Sequence, residues 1–140
     1  MPDTISLNYK IDGDDFAFAG AASSDVKNKL KQLGYPSETI RRVAIAMYEG
    51  EINMVIHAKG GVADVLINQS GVTVILADKG PGIADVEKAM QEGFSTAADD
   101  IRSLGFGAGM GLPNMKKYSD KLDVSSELGV GTTVTMYFKN

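Results

Sequence analysis

The chain has 140 residues, 44% hydrophobic and 23% charged, enough for about one domain with a core of its own. It has no cysteine and one histidine, His57, which excludes thiolate nucleophiles, cysteine-based zinc sites, multi-histidine metal sites and a Ser-His-Asp arrangement built on a second histidine. A net charge of −4 without a basic run argues against direct nucleic-acid or anionic-membrane binding. No signal peptide heads the sequence and no apolar run approaches the ~18 residues of a membrane span, so a cytoplasmic protein is expected.

Residues 4–10 alternate apolar and polar side chains, as a half-buried strand does. A turn over residues 11–15 and a second short strand over 16–19 follow. Ser23 or Ser24 is suited to cap a helix running through Val26, Leu30 and Leu33 to Gly34, a good C′ residue. Pro36 and Ser37 open the next helix, predicted from Ser37 to Ala58 by the helical spacing of Ile40, Val43, Ala44, Met47, Tyr48 and Val55.

Gly60-Gly61 marks the end of that helix. Residues 62–68 and 72–77 then flank Gln69-Ser70-Gly71 as a hairpin. A short helix over 84–91 precedes an aperiodic stretch over 92–111, a length that in a compact domain is usually functional or disordered. A helix over 113–119 and an antiparallel pair, 121–127 and 132–139 about a turn at 129–131, complete the chain. Strands grouped with helices to one side predict an α+β fold, a two-layer sandwich.

Glycine is the unusual count, 16 residues, with nine of them at or after Gly80. Four constellations stand out, each with an ordinary structural explanation beside it. On the long helix, Glu49, Asn53 and His57 fall four apart along one stripe. A solvated polar face explains such a stripe, but Gly50 sits between Glu49 and Glu51 at a cost of ~1 kcal/mol relative to alanine. An Asn oxygen suits Mg²⁺, and a Glu one turn away can accept a proton. Next, Asp78-Lys79-Gly80-Pro81-Gly82 follows a strand without the G-x-G-x-x-G spacing of a dinucleotide site. It is either a plain connection or a carboxylate accepting from an adenine amine, with glycines that let backbone approach a flat ring.

Third, Gly105, Gly107, Gly109 and Gly111 alternate before Leu112-Pro113. A Walker loop is ruled out because Lys116 and Lys117 come too late; what remains is a linker or an anion-binding loop feeding a helix N-terminus. Last, Gly129-Val130-Gly131-Thr132-Thr133 is either a hairpin turn or the source of a hydroxyl assisting Asp78 at a base edge.

Taken in order, Glu49-x-x-x-Asn53, Asp78-x-Gly80-x-Gly82, Gly105 to Gly111 with Leu112, and Gly131-Thr132 resemble the Bergerat ATP-binding superfamily of gyrase, the ninety-kilodalton heat-shock chaperones, histidine kinases and MutL proteins. The resemblance covers essentially the whole chain, 1–140, as one domain. It implies a two-layer α/β sandwich whose mixed, mostly antiparallel sheet is covered by helices on one face. Gly109-Met110-Gly111-Leu112-Pro113 and Gly93-Phe94-Ser95-Thr96 are most similar to the single-domain anti-sigma factors and switch serine/threonine kinases of bacterial partner switching.

By position, the resemblance implies ATP or ADP with Mg²⁺ as ligands, Asn53 on the metal and Glu49 as general base. Asp78 would bind adenine with Thr132 assisting, and Gly80 and Gly82 would shape its pocket. Gly105, Gly107, Gly109, Met110, Gly111 and Leu112 would form the phosphate grip. It further implies a STAS-type antagonist as substrate, with a sigma factor or another regulatory protein as a further partner. A homodimer is compatible with it, the N-terminal strand being one available edge. The alternatives within the same pocket are an anti-sigma factor acting mainly by nucleotide-dependent sequestration, and a nucleotide-binding ATPase module. His57 is open to packing or to a place beside the site, and Asp99, Asp100 and Arg102 lengthen the lid that the resemblance implies.

Overall fold

The computed structural model describes residues 4–12, 20–58, 60–78, 111–127 and 131–140. Its strands are β1 (Ile5–Asp12), β2 (Gly60–Asn68), β3 (Gly71–Ala77), β4 (Lys121–Glu127) and β5 (Gly131–Lys139). They form one sheet in the order β1-β2-β3-β5-β4, and every described pairing is antiparallel. Among the described residues three helices accompany it: α1 (Ala21–Gln32), α2 (Ser37–Ala58) and α3 (Gly111–Tyr118). Alternation decides which face is covered. Val65, Ile67, Val72, Val74, Leu76, Val134, Met136 and Phe138 join Val26, Leu30, Val43 and Met47 of the helices in one buried core. Each such side chain, fully buried, stabilises the fold by about 1.5–3 kcal/mol before entropy is counted.

Helix α1 ends as its sequence predicts. Gly34 takes a left-handed φ of 79°, its N–H donates to Lys31 O, and the Tyr35 N–H donates to Leu30 O. These two bonds make a Schellman cap. The start of α1 is different from the expectation. Neither Ser23 nor Ser24 caps it; both lie inside the helix, and the N-cap is Gly20 at φ 97° with no side-chain cap of its own. The orphan amides are satisfied instead by Glu51 of α2. Gly20 N–H and Ala22 N–H donate to its Oε2 at 3.0 and 3.3 Å, and Ser23 N–H donates to its Oε1 at 2.6 Å. Ser23 turns its hydroxyl back to the Gly20 carbonyl.

The bounds of α2 match the sequence reading at both ends, but its buried face is shifted. Ala46, Ile52 and Met54 are in the interior, whereas Tyr48 is 41% exposed. Its ring lies against Gly20, where an added Cβ would come within 2.8 Å. Gly60 and Gly61 do more than stop α2, because they begin β2. Gly61 pairs with Ile11, so β1 continues through the residues read as the start of a turn. The hairpin turn is Gln69-Ser70, closed by Asn68 Oδ1 accepting from the Ser70 and Gly71 amides. Residues 16–19, 84–91 and all of 92–111 except Gly111 lie outside the described residues.

At the far end of the sheet Arg42 fastens α2 to the β strands. Its guanidinium meets Asp120 Oδ2 at 3.0 Å and donates to the Lys139 carbonyl, and Lys139 N–H donates to the same Asp120 oxygen. Among the described residues no helix is long and apolar enough to cross a membrane.

Candidate nucleotide site

The second half of α2 lies over the C-terminal end of β3, and Gly50 is what allows it. A Cβ there would stand 2.0 Å from Leu76 Cδ1 and 3.4 Å from Met115 Sδ. The glycine disfavoured by helix propensity is therefore the point where α2 meets both the sheet and α3. Its neighbours in sequence have opposite surroundings. Glu51 is 1% exposed and holds α1, while Glu49, two residues away and about 200° around the helix, faces α3. Asn114 of α3 donates through Nδ2 to Glu49 Oε1 at 3.4 Å. Burial pushes the Glu49 carboxyl above its ordinary value, and the Asn114 bond opposes that rise.

Asn53 is half-buried one turn further along α2, between the interior residues Ile52 and Met54. His57 falls in the last turn of α2, and its side chain is outside the described residues.

Asp78 directly follows β3, on the same side of the sheet as Leu76. Its N–H donates to the Thr132 carbonyl at 2.9 Å, and its Oδ1 accepts the Thr132 N–H at 3.1 Å. This exchange continues the β3–β5 ladder one step beyond the strand, using a carboxylate in place of a carbonyl. Sequence reasoning joined Asp78 and Thr132 through the threonine hydroxyl. In the structure they are joined through the threonine backbone, and the hydroxyl lies 2.9 Å from Ser126 Oγ. Thr132 is only 8% exposed, so that hydroxyl is part of the packing between β4 and β5.

The structure thus brings Glu49 and Asn53 onto one stretch of α2, and Asp78 against Thr132 at the sheet end beneath it. Gly111 and Leu112 form the first turn of α3, whose Asn114 reaches Glu49. Gly80, Gly82, Gly105, Gly107, Gly109 and Met110 lie outside the described residues. Two participants escaped the sequence reading. Asn114 carried no signal beyond its place after Leu112-Pro113, and the structural part played by Glu51 was hidden because its amide partners are 28 to 31 residues away.

The described structure is thus an antiparallel sheet under helices, with Glu49 and Asn53 one turn apart on α2 and Asp78 at the end of β3. The family model described as histidine kinase-like ATPase domain matches residues 17–138, and the chain belongs to that family. It is therefore a nucleotide-binding protein.

Among its relatives is the serine/threonine-protein kinase RsbT of Bacillus subtilis, 33% identical over 114 aligned positions, covering 77% of this chain and 78% of that protein. The anti-sigma F factor of Caldanaerobacter subterraneus is 38% identical over 110 residues, covering 75% of this chain and 73% of that protein. The anti-sigma F factor of Clostridium acetobutylicum is 36% identical over 141 aligned positions, covering 97% and 93%. Among solved structures, the crystal structure of the RsbU and RsbW domains of a Mycobacterium tuberculosis protein superposes with a TM-score of 0.66 at 17% identity. That match covers 96% of this chain and 32% of the longer mycobacterial chain, and at that identity it shows the fold.

Proposed function

We propose that this protein, one unit over 1–140, is an ATP- and Mg²⁺-dependent serine/threonine kinase of a bacterial partner-switching system. Its substrate would be a small STAS-type antagonist. The observation that carries this reading is Glu49: a half-buried carboxylate with a raised pKa, one turn from Asn53 and facing the helix that leaves the glycine run. A carboxylate so placed is more basic than one in water, as proton abstraction from a hydroxyl requires. The kinship with RsbT supports the choice of reaction.

The donor set suits Mg²⁺. Among the described residues no three His, Cys, Asp or Glu side chains gather as a metal cluster. A cation held by the Asn53 oxygen would complete its shell with phosphate oxygens and water, the usual habit of Mg²⁺. When bound it supplies charge compensation to the phosphates. Asp78, fixed by the Thr132 backbone, would present a carboxylate to the amino group of adenine. Gly80 and Gly82 would let backbone lie close to the ring. Gly105, Gly107, Gly109, Met110, Gly111 and Leu112 would direct amides at the phosphates, aided by the α3 N-terminus.

Glu49 accepts the proton of the partner's hydroxyl while that oxygen bonds to the γ-phosphorus. The bond from phosphorus to the β–γ bridging oxygen breaks, and ADP leaves with the electron pair. The relatives named anti-sigma F factors suggest a sigma factor as a second partner and the cytoplasm as the setting.

Incubation with γ-labelled ATP and candidate STAS domains tests this reading. Label is expected on a serine or threonine of one of them, and to be lost with Glu49→Ala. Release of inorganic phosphate without partner labelling would make the chain an ATPase module instead. A partner bound only with nucleotide and never labelled would make it a sequestering factor.

A further inference from the structure

We infer that Asn114 is a positioning residue for Glu49, linking the exit of the glycine run to the candidate general base; the inference rests on the kinase reading above. Three observations converge on it. First, α3 begins at Gly111, so Asn114 is the fourth residue of a helix whose first residue closes the glycine run. Second, that helix is held firmly against α2. Met115 is 1% exposed, and its sulfur lies where Gly50 leaves room for it. Gly50 opposite Met115 places the preceding residue of each helix, Glu49 and Asn114, side by side. Third, the Asn114 amide meets one oxygen of the Glu49 carboxylate.

The type of donor matters. A lysine or arginine at this place would form an ion pair and hold Glu49 in its charged, weakly basic form. A carboxamide donates a neutral hydrogen bond, which orients the carboxylate and takes away little of its basicity. One oxygen is engaged from α3, which ties the carboxylate to the helix end where phosphates would be gripped. The Asn114 contact therefore joins that helix end to the base directly, beside the packing of Met115 on Gly50. Asn114 touches no reacting atom in this scheme and acts through Glu49 alone.

The test is a double-mutant cycle on the full chain: wild type, Asn114→Ala, Glu49→Ala and the double variant. Steady-state phosphoryl transfer to a STAS partner is measured for each, with nucleotide affinity measured separately. Asn114→Ala is expected to lower kcat about 10-fold while the ATP KM stays within about twofold, the pattern for loss of a transition-state interaction. In the Glu49→Ala background the same substitution is expected to have no further effect on residual turnover. An undiminished loss in that background, or a loss confined to KM, would overturn the proposal, because it would mean that Asn114 acts by packing α3.

Thermal unfolding of the same four proteins needs neither nucleotide nor partner. There the Asn114→Ala shift in Tm is expected to shrink by more than half once Glu49 is gone, and strict additivity would overturn the link. Failure of the wild type to label any partner would overturn the kinase reading and, with it, the role of Asn114 in turnover. The unfolding cycle would still decide whether the Asn114–Glu49 link exists.

Discussion

Two carboxylates two residues apart on one helix have opposite surroundings. Glu51 is enclosed and accepts three backbone N–H groups, each an orphan donor of the α1 N-terminus. Glu49 is half-buried and accepts one long bond from a neutral amide. A buried polar group is tolerated when its hydrogen-bonding capacity is met, and Glu51, holding three amides, is a structural part. A carboxylate desolvated without such compensation becomes more basic, and Glu49 holds that reactivity available. Gly50 between them allows the helix to be gripped on one side and used on the other.

The sharpest way to break this contrast is to remove each acid in turn. Under the general-base role proposed for Glu49, Glu49→Ala is expected to lower phosphoryl transfer by about 10²–10⁴-fold, the usual contribution of a positioned general base. Stability should move the other way. A carboxyl whose folded pKa is raised contributes stability that is full below its ordinary value near 4.5 and is lost as pH rises through the folded value. Glu49→Gln is therefore expected to raise Tm at neutral pH, with the gain closing below about pH 4.5 in scans across pH.

Glu51→Ala should do the reverse. It strands three amides at the start of α1 and should cost about 3 kcal/mol or more in urea unfolding. At temperatures where the variant is still folded, its kcat is expected to change far less than that of Glu49→Ala.

Gly50→Ala tests the hinge of the comparison. The added methyl meets Leu76 Cδ1, and the overpacking penalty less the helix-propensity gain should leave about 1–2 kcal/mol of destabilisation. Pairing it with Leu76→Val, which removes the obstructing carbon, should recover most of that. The smallest effect belongs to the other end of α2. Asp120 is held below the usual carboxylate range first by the Lys139 amide and then by Arg42. Its contribution is present above its ordinary value and is lost as pH falls through the folded one. Because the pair is partly exposed, Asp120→Asn should cost less than about 1 kcal/mol, and the Arg42 part of that should shrink in high salt.

The elements that local chemistry specifies were legible in the sequence. The two ends of α2, the Gly34 cap, the Gln69-Ser70 hairpin and the closing strand pair all follow from periodicity and turn residues close in the chain. The start of α1 was not legible, since its cap arrives from Glu51 across 28 residues of chain and displaces the nearby serines. Tyr48 fits the helical period yet turns outward, because Gly20 offers its ring a surface that no window of α2 contains.

The candidate site divides in the same way. Glu49 with Asn53 is a local i, i+4 pattern, and Asp78 marks a strand end. The partners that fix them, Asn114 and the Thr132 backbone, depend on how distant elements pack. Residue type at a single position does not encode that packing.

The central proposal is that a nucleotide base sits at the Asp78–Thr132 corner beneath α2. Asp78→Asn isolates it, because an asparagine oxygen can still accept the Thr132 N–H while the carboxylate's charge is lost. Calorimetric titration of ATP with Mg²⁺ into wild type and this variant, both shown to be folded, is the direct measurement. Binding by the wild type and a loss of affinity of about 10-fold or more in the variant is the predicted result, the scale of one hydrogen bond to a charged group. Equal affinity in the two proteins, or no binding of ATP to the wild type, would contradict it.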